Sequence, residues 1–334
     1  MEAVPTRVVA VVVAYNRRDL LAAALDAVAA QTRPADHLVV VDNASTDDSA
    51  TVAREHPSAP EVLALARNTG GAGGFAAGMA HAVAPSDGSA PADLVWLMDD
   101  DTIPTPSALA ELLAARDAFE AAGGQPVAIA GSKAVWTDGR EHPMNTPRRR
   151  PRVSADEVRR AQVAGAVPVR SSSFVSMLVD ARAVREDGLP SADYFIWNDD
   201  FEFSTRLLRR RPGLYVPASV VEHRTAKFAG SDLDPGPRFY NEVRNKIWMF
   251  SRSRALGPVD TATYGASTLV RWTRTLVRSQ DRGTLVTSGW RGLRDGVTRG
   301  PQPADAVLAG LGPVEDEVRA VETGAGRPVA GGRA

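Results

Sequence analysis

Four short apolar runs, each ending abruptly in polar residues, constrain the fold more than any other feature of the chain. Val8 to Val13 is continuous and rich in β-branched residues, as a parallel strand buried on both faces requires. It stops at Ala14-Tyr15-Asn16, after which Leu20, Leu21, Ala24, Leu25 and Val28 recur at helical spacing. Leu38 to Val41 ends at Asp42-Asn43, and Ser45-Thr46-Asp47-Asp48 then reads as a helix start rich in capping and acidic residues. Val62 to Leu65 gives way to Arg67-Asn68-Thr69 and the glycine-rich segment Gly70 to Gly74, and Leu94 to Met98 runs into Asp99-Asp100-Asp101. Strands alternating with helices in this way predict an open α/β sheet with its site at the strands' carboxyl ends.

The second half is less regular. A helix over Leu109 to Phe119 leads to an apolar strand, Val127 to Ala130, and residues 138–160 read as an excursion with Pro143, Pro147 and Pro151 around three arginines. Order returns at Phe174 to Val179, and the aromatic and acidic segment Tyr194 to Phe203 leads into a helix. Tyr215-Val216 and Val220-Val221 precede Glu222-His223, and beyond Phe239 the pattern is helical, with aromatics and arginines. The chain has no cysteine, which excludes disulfides and thiolate metal sites. Its net charge of -1 gives no reason to expect a nucleic-acid partner. The N-terminus lacks a signal-peptide pattern and no apolar stretch approaches the roughly 20 residues of a spanning helix, so a cytoplasmic protein is expected.

Three adjacent carboxylates at the end of a buried strand repel one another unless a cation sits among them. Side chains alternate along extended backbone, so Asp99 and Asp101 can face one ion while Asp100 faces elsewhere. Oxygen ligands completed by phosphate oxygens suit Mg²⁺ or Mn²⁺. The alternative is a solvated acidic turn. Gly70 to Gly74 can let backbone approach a phosphate or can form a plain flexible turn. Asp42 ends a strand where a carboxylate can accept hydrogen bonds from a nucleoside or close an Asx-turn. Asp199-Asp200 can cap the helix that follows, or one of them can act as a general base kept ionised by the helix N-terminus. Trp197 and Phe201 beside them suit a sugar site or core packing, and His223 suits a further metal ligand or a structural role.

Taken together, Ala14-Tyr15-Asn16-Arg17, Val41-Asp42-Asn43-Ala44-Ser45-Thr46-Asp47, Asn68-Thr69-Gly70-Gly71, Asp99-Asp100-Asp101 and the Trp197 to Phe203 segment resemble family 2 glycosyltransferases. The resemblance covers roughly residues 6–250 and keeps the family's motif order. It implies a GT-A fold, a Rossmann-like open mixed sheet flanked by helices, here with a C-terminal helical extension. It places Ala14, Tyr15, Asn16, Asp42, Asn43, Arg67, Asn68, Gly70, Gly71 and Asp100 along a nucleotide-sugar donor. Asp99, Asp101 and His223 would hold the divalent cation, Asp200 would be the base, and Trp197 and Asp199 would meet the sugar or acceptor. The Phe195 to Glu202 segment is most similar to actinobacterial galactofuranosyltransferases, which implies UDP-galactofuranose as donor and a polyprenyl-diphosphate-linked saccharide as acceptor. Related rhamnosyltransferases, using dTDP-rhamnose, usually carry Glu-Asp where this chain has Asp199-Asp200.

On that basis the expected organisation is a catalytic domain over 1–237, with a nucleotide-binding half to about 105 and an acceptor half beyond it. A basic helical extension follows over 238–310, with a mobile tail over 311–334. The expected mechanism is a single in-line displacement with inversion. Residues 238–299 hold twelve Lys/Arg against four acids. Arg271, Arg274 and Arg278 fall on one helical face, with Leu269, Trp272 and Leu276 on the other, so the region suits either contact with the anionic inner face of the plasma membrane or packing on the catalytic domain. A rival class, the Mg²⁺-dependent haloacid-dehalogenase-like phosphatases, also sets Asp-x-Asp after a buried strand. That reading leaves Asp42-Asn43 and the Gly70 segment without work.

Overall fold

The computed structural model describes residues 6–228 and 234–324. The apolar runs form the strands expected of them: β1 (Val8–Ala14), β2 (His37–Asp42), β3 (Glu61–Ala64) and β4 (Leu94–Asp99). Helices α1 (Arg18–Ala29), α2 (Ser49–Glu55) and α3 (Gly70–Val83) connect them. All four strands are parallel, in the spatial order β3-β2-β1-β4. Register pairs Ala14 with Asp42 and Val13 with Asp99, so the polar ends of three strands arrive at one edge. Burying β1 on both faces splits the core into two layers. Val9, Val11 and Val13 pack with α3 on one side, and Val8, Ala10 and Val12 pack with Leu21, Leu25 and Trp96 on the other.

The glycine-rich segment is a correction. It is the first turn of α3, not a loop. Only Gly70 has a positive φ, of +71°, and a Cβ there would fall 2.0 Å from the Phe195 carbonyl oxygen. Gly74 and Gly78 instead let the helix lie close on the sheet, where added Cβ atoms would sit 2.6 Å from Val13 Cγ1 and 2.5 Å from Val11 Cγ1.

Beyond the aspartates come β5 (Thr102–Pro104), α4 (Ala108–Ala121), β6 (Ile129–Val135), β7 (Arg148–Arg149) and α5 (Ala155–Val163). Then follow β8 (Val167–Ser171), β9 (Met177–Asp180), α6 (Ala181–Asp187), α7 (Asp199–Leu207) and β10 (Gly213–His223). The excursion thus carries a short strand and a helix of its own. Tyr215-Val216 and Val220-Val221, read as separate pieces, belong to one strand with a register shift between Val216 and Val220. Strand β9 runs antiparallel to both β4 and β6, which makes the sheet mixed. The full order is β3-β2-β1-β4-β9-β6-β10-β8-β7, with β5 paired to β10.

The remainder is helical: α8 (Phe239–Ser251), α9 (Pro258–Arg278), α10 (Arg282–Thr298), α11 (Ala304–Val307) and α12 (Pro313–Gly324). The tail expected to be mobile from 311 is ordered as far as Gly324. Val314, Val318 and Val321 of α12 are buried in the same cluster as α3, and Glu317 bonds His81 Nδ1 at 3.0 Å. Residues 325–334 of that tail lie outside the described residues. The face assignment on α9 also changes. Trp272 and Leu276 pack against Phe239, Val243 and Leu285, whereas Leu269, one turn off that line, is 62% exposed.

Candidate active site

Antiparallel pairing of β5 with β10 sets His223 opposite Thr102, immediately after the aspartates. Ligand atoms of Asp99, Asp101 and His223 consequently all lie within 4.8 Å of one another. His223 Nε2 is 3.2 Å from Asp101 Oδ1, yet that buried oxygen has no aligned hydrogen-bond donor. His223 Nδ1 meets Asn145 Oδ1 at 2.8 Å. Asn145 spends its amide nitrogen on Ser173 Oγ at 3.1 Å, so its oxygen accepts from the Nδ1 proton and Nε2 is the nitrogen turned toward the aspartates.

Electrostatics agree with this geometry. Burial, then the neighbouring Asp101 and Asp100, push Asp99 well above its ordinary value. Burial pushes Asp100 up to about 7, although the Tyr15 N–H and Arg17 oppose it. Against the upward pull of burial, His223 and Arg17 hold Asp101 below its ordinary value. One guanidinium and one imidazole thus face two buried carboxylates and the half-buried Asp99. A carboxylate oxygen without an aligned donor, an imidazole nitrogen turned toward it and excess negative charge together fit a divalent cation with oxygen and nitrogen ligands.

The expected donor residues divide into two groups. Asp42 is buried and its Oδ1 accepts from Ser45 N at 3.3 Å, the Asx-type contact. Tyr15 donates its backbone N–H to Asp100 Oδ2 at 2.9 Å while its side chain is 43% exposed. Asn68 Oδ1 accepts from Gly70 N at 2.7 Å, and Gly71 faces open space. Other side chains are committed to the protein. Asn43 accepts from Thr69 N at 2.9 Å and donates to Gly70 O at 2.8 Å, so it clasps the start of α3. Asn16 Oδ1 accepts from Thr46 N at 2.7 Å, and Ala14 receives Asn43 N on its carbonyl at 2.9 Å. Arg67, expected along the donor, instead donates to the carbonyls of Val307 and Ala309 at 2.8 and 2.9 Å. It lines a cavity of about 230 Å³ with Asn68, Phe195 and Arg244.

The approach to α7 is strained. Phe195, Trp197 and Asn198 all have positive φ, of 62°, 70° and 66°, at a cost of roughly 1–3 kcal/mol each for non-glycine residues. Helix α8 holds them there. Asn245 Nδ2 donates to the carbonyls of Tyr194, Ile196 and Trp197 at 2.9, 3.0 and 2.8 Å, and Arg244 Nη2 reaches Asp193 O at 2.6 Å. This bend presents Asp199 and Asp200 at the start of α7, near enough to the metal-type cluster for Asp199 to raise Asp99 further. Burial lifts both members of the pair above the ordinary carboxylate range, and the Asp200 charge raises Asp199 further. Phe201 N donates to Asp200 Oδ1 at 2.6 Å, and the Lys246 ammonium also favours charge on Asp200.

The chain has counterparts among known proteins. Residues 9–181 match the family described as Glycosyl transferase family 2. The chain belongs to this family. It is 38% identical over 266 residues to "Galactofuranosyltransferase GlfT1" of Mycobacterium tuberculosis (strain H37Rv), covering 73% of this chain and 82% of that protein. The protein of the same name from Mycolicibacterium smegmatis is 35% identical over 209 residues, covering 60% and 65%. Solved structures agree on the fold. S. aureus TarS 1-349 superposes with a TM-score of 0.57 at 15% identity, covering 95% of this chain and 90% of that one. GalNAc-T7, solved with UDP, GalNAc and Mn²⁺, gives 0.54 at 14%, covering 88% and 55%. The fold of this family 2 glycosyltransferase is therefore GT-A, and the phosphatase reading is withdrawn.

Sequence reasoning missed Asn145, Asn245 and Arg244 as supports of the site and gave Arg17 no role there. Arg17 bridges Asp101 and lies 3.5 Å from Asp100. A signal was present for Arg17, since an acidic run invites a cation and this arginine follows the first strand. Nothing local marked Asn145, which reaches His223 across 78 residues.

Proposed function

We propose that this glycosyltransferase moves galactofuranose from UDP-galactofuranose to a hydroxyl of a polyprenyl-diphosphate-linked saccharide, with inversion at the anomeric carbon. The convergence of Asp99, Asp101 and His223 with the Asp199-Asp200 pair at one end of the sheet carries the transferase reading. The sugar rests on the resemblance to mycobacterial proteins named galactofuranosyltransferases. Residues up to about 105 form the donor half, residues 106–237 the acceptor half, and the basic helices from 238 an extension that braces the acceptor side through Arg244 and Asn245.

Asp99, Asp101 and His223 would hold a Mn²⁺ or Mg²⁺ ion, which when bound neutralises the charge that grows on the departing diphosphate. Asp42 offers its remaining oxygen capacity to the nucleoside. Asp200 removes the proton from the acceptor hydroxyl as that oxygen attacks. Its value is raised by burial, which brings a carboxylate closer to the basicity such a transfer needs. Asp200 is the member of the pair better held as a carboxylate, because it takes the Phe201 N–H and the field of Lys246. The braced bend at 195–198 fixes where Asp200 points.

A panel of nucleotide sugars, supplied with Mn²⁺ and a polyprenyl-linked acceptor, tests the reading. UDP-galactofuranose is expected to give the highest rate of UDP release. Faster turnover with dTDP-rhamnose would move the assignment to rhamnosyl transfer.

A further inference from the structure

Eight of the twelve exposed large hydrophobic side chains among the described residues belong to two consecutive helices, α9 and α10. On α9, Val259, Leu269, Val270 and Val277 are between 51% and 63% exposed. On α10, Val286, Trp290, Leu293 and Val297 are between 41% and 68% exposed, at 4-3-4 spacing that lines them along one side. Neither strip is an unfinished core. The opposite side of α10 is closed against α8 by small residues: a Cβ on Gly292 would meet Tyr240 O at 2.6 Å, and one on Gly296 would meet Ile247 Cβ at 2.9 Å. The inner side of α9 is closed by Trp272 and Leu276.

Charge distinguishes the possible occupants. Arg271, Arg274, Arg278, Arg282, Arg291 and Arg294 are all exposed on the same two helices. Of the acids there, Asp260 pairs with Arg170 and Asp295 with Arg294, which leaves Asp281 as the exposed one without an ion pair among the described residues. A second copy of the chain docking about a two-fold axis would set these arginine rows against each other. An anionic bilayer surface neutralises them and accepts the valines, leucines and tryptophan at headgroup depth. No described helix is long and apolar enough to cross a membrane, so the contact is peripheral.

We propose that the outer strips of α9 and α10 form a membrane-docking surface for anionic lipid, with Trp290 as its aromatic anchor. The contact stands apart from the sugar assignment, since it needs no substrate. The test is co-sedimentation of the full chain with vesicles of phosphatidylcholine, with and without phosphatidylglycerol, in low and in raised salt. Binding is expected only with phosphatidylglycerol and is expected to weaken with salt. Arg274→Glu/Arg278→Glu and Trp290→Ser/Leu293→Ser are each expected to lower the partition about tenfold or more. Circular dichroism and transfer to a water-soluble acceptor should both be unchanged in these variants, so a failed docking experiment is separable from a failed function. Binding by both variants equal to that of the wild-type chain, or no binding of the wild-type chain at low salt, overturns the proposal. So does a wild-type dimer that the Trp290→Ser/Leu293→Ser variant dissociates, which would assign the strips to a second copy.

Discussion

His223 Nδ1 and Asn145 Oδ1 lie 2.8 Å apart, and this bond decides which nitrogen His223 turns toward Asp99 and Asp101. Asn145 comes from the irregular stretch between β6 and β7, far from either aspartate in sequence. It fixes the ring with Nε2 turned toward the aspartates. Groups that orient a metal-binding histidine from behind are typically worth about 10- to 100-fold in metal affinity. Asn145→Ala is therefore expected to raise the Mn²⁺ concentration for half-maximal activity by about tenfold or more, with His223→Ala more severe. Calorimetric titration with Mn²⁺ in the presence of UDP measures both. Unchanged Mn²⁺ binding in His223→Ala would remove it from the ligand set.

Asn245 spends one amide group on three carbonyls of the bend that carries Asp200. Asn245→Ala removes the amide donor of the Ile196 and Trp197 carbonyls, while the Tyr194 carbonyl keeps Arg244 Nη2 and the Ile196 N–H, and lets positive-φ residues relax. Leaving a buried polar group unsatisfied costs about 1–3 kcal/mol, so a lower thermal midpoint is expected. A positioning role further requires kcat to fall while the dissociation constant for UDP stays within about twofold. An equal loss of UDP affinity would mean that the bend shapes the donor pocket as well.

Gly78 faces Val11 and Val41, where a Cβ would sit 2.5 and 2.8 Å from their methyl carbons. Gly78→Ala is expected to destabilise the domain by about 1–3 kcal/mol through overpacking, despite the better helix propensity of alanine. Chemical denaturation at matched protein concentration checks the sign. A stabilised variant would show that α3 can lift from the sheet at no cost.

Much of this arrangement was legible in the residues and some was not. Strand ends at Asn16, Asp42 and Asp99 could be placed because β-branched runs buried on both faces leave little freedom of register. The mixed half of the sheet was harder, since β8 contains Pro168 and Arg170 and β10 absorbs a register shift. Gly70 to Gly74 misled because glycine serves helix-on-sheet contact as readily as a turn, and only a tertiary neighbour such as Val13 distinguishes them. Asn145 and Asn245 act across the fold, and no periodicity announces such contacts. The α12 helix looked like a tail because its apolar residues are few. It is held by Val314, Val318 and Val321, and by an ion pair that sequence spacing could not show.

That ion pair has a pH signature. Against the downward pull of burial, Glu317 and Glu61 raise His81 from 6.5 to about 9. Because the folded value lies above the unfolded one, its contribution is complete below about 6.5 and is lost as pH rises through about 9. His37, which meets Glu61 at 2.8 Å, and Asp87 also face this cluster. The thermal midpoint should fall more steeply between these limits in the wild-type chain than in His81→Gln. Parallel curves would show that the imidazole is neutral in the folded protein.

Under the proposed function, Asp200 is the base of a glycosyl transfer whose donor is held elsewhere in the site. The direct measurement compares wild-type and Asp200→Asn chains for transfer from UDP-galactofuranose to a polyprenyl-linked acceptor, alongside UDP binding. A loss on the order of a hundred- to ten-thousandfold in kcat is expected, with UDP affinity unchanged. Near-normal turnover in Asp200→Asn would contradict it.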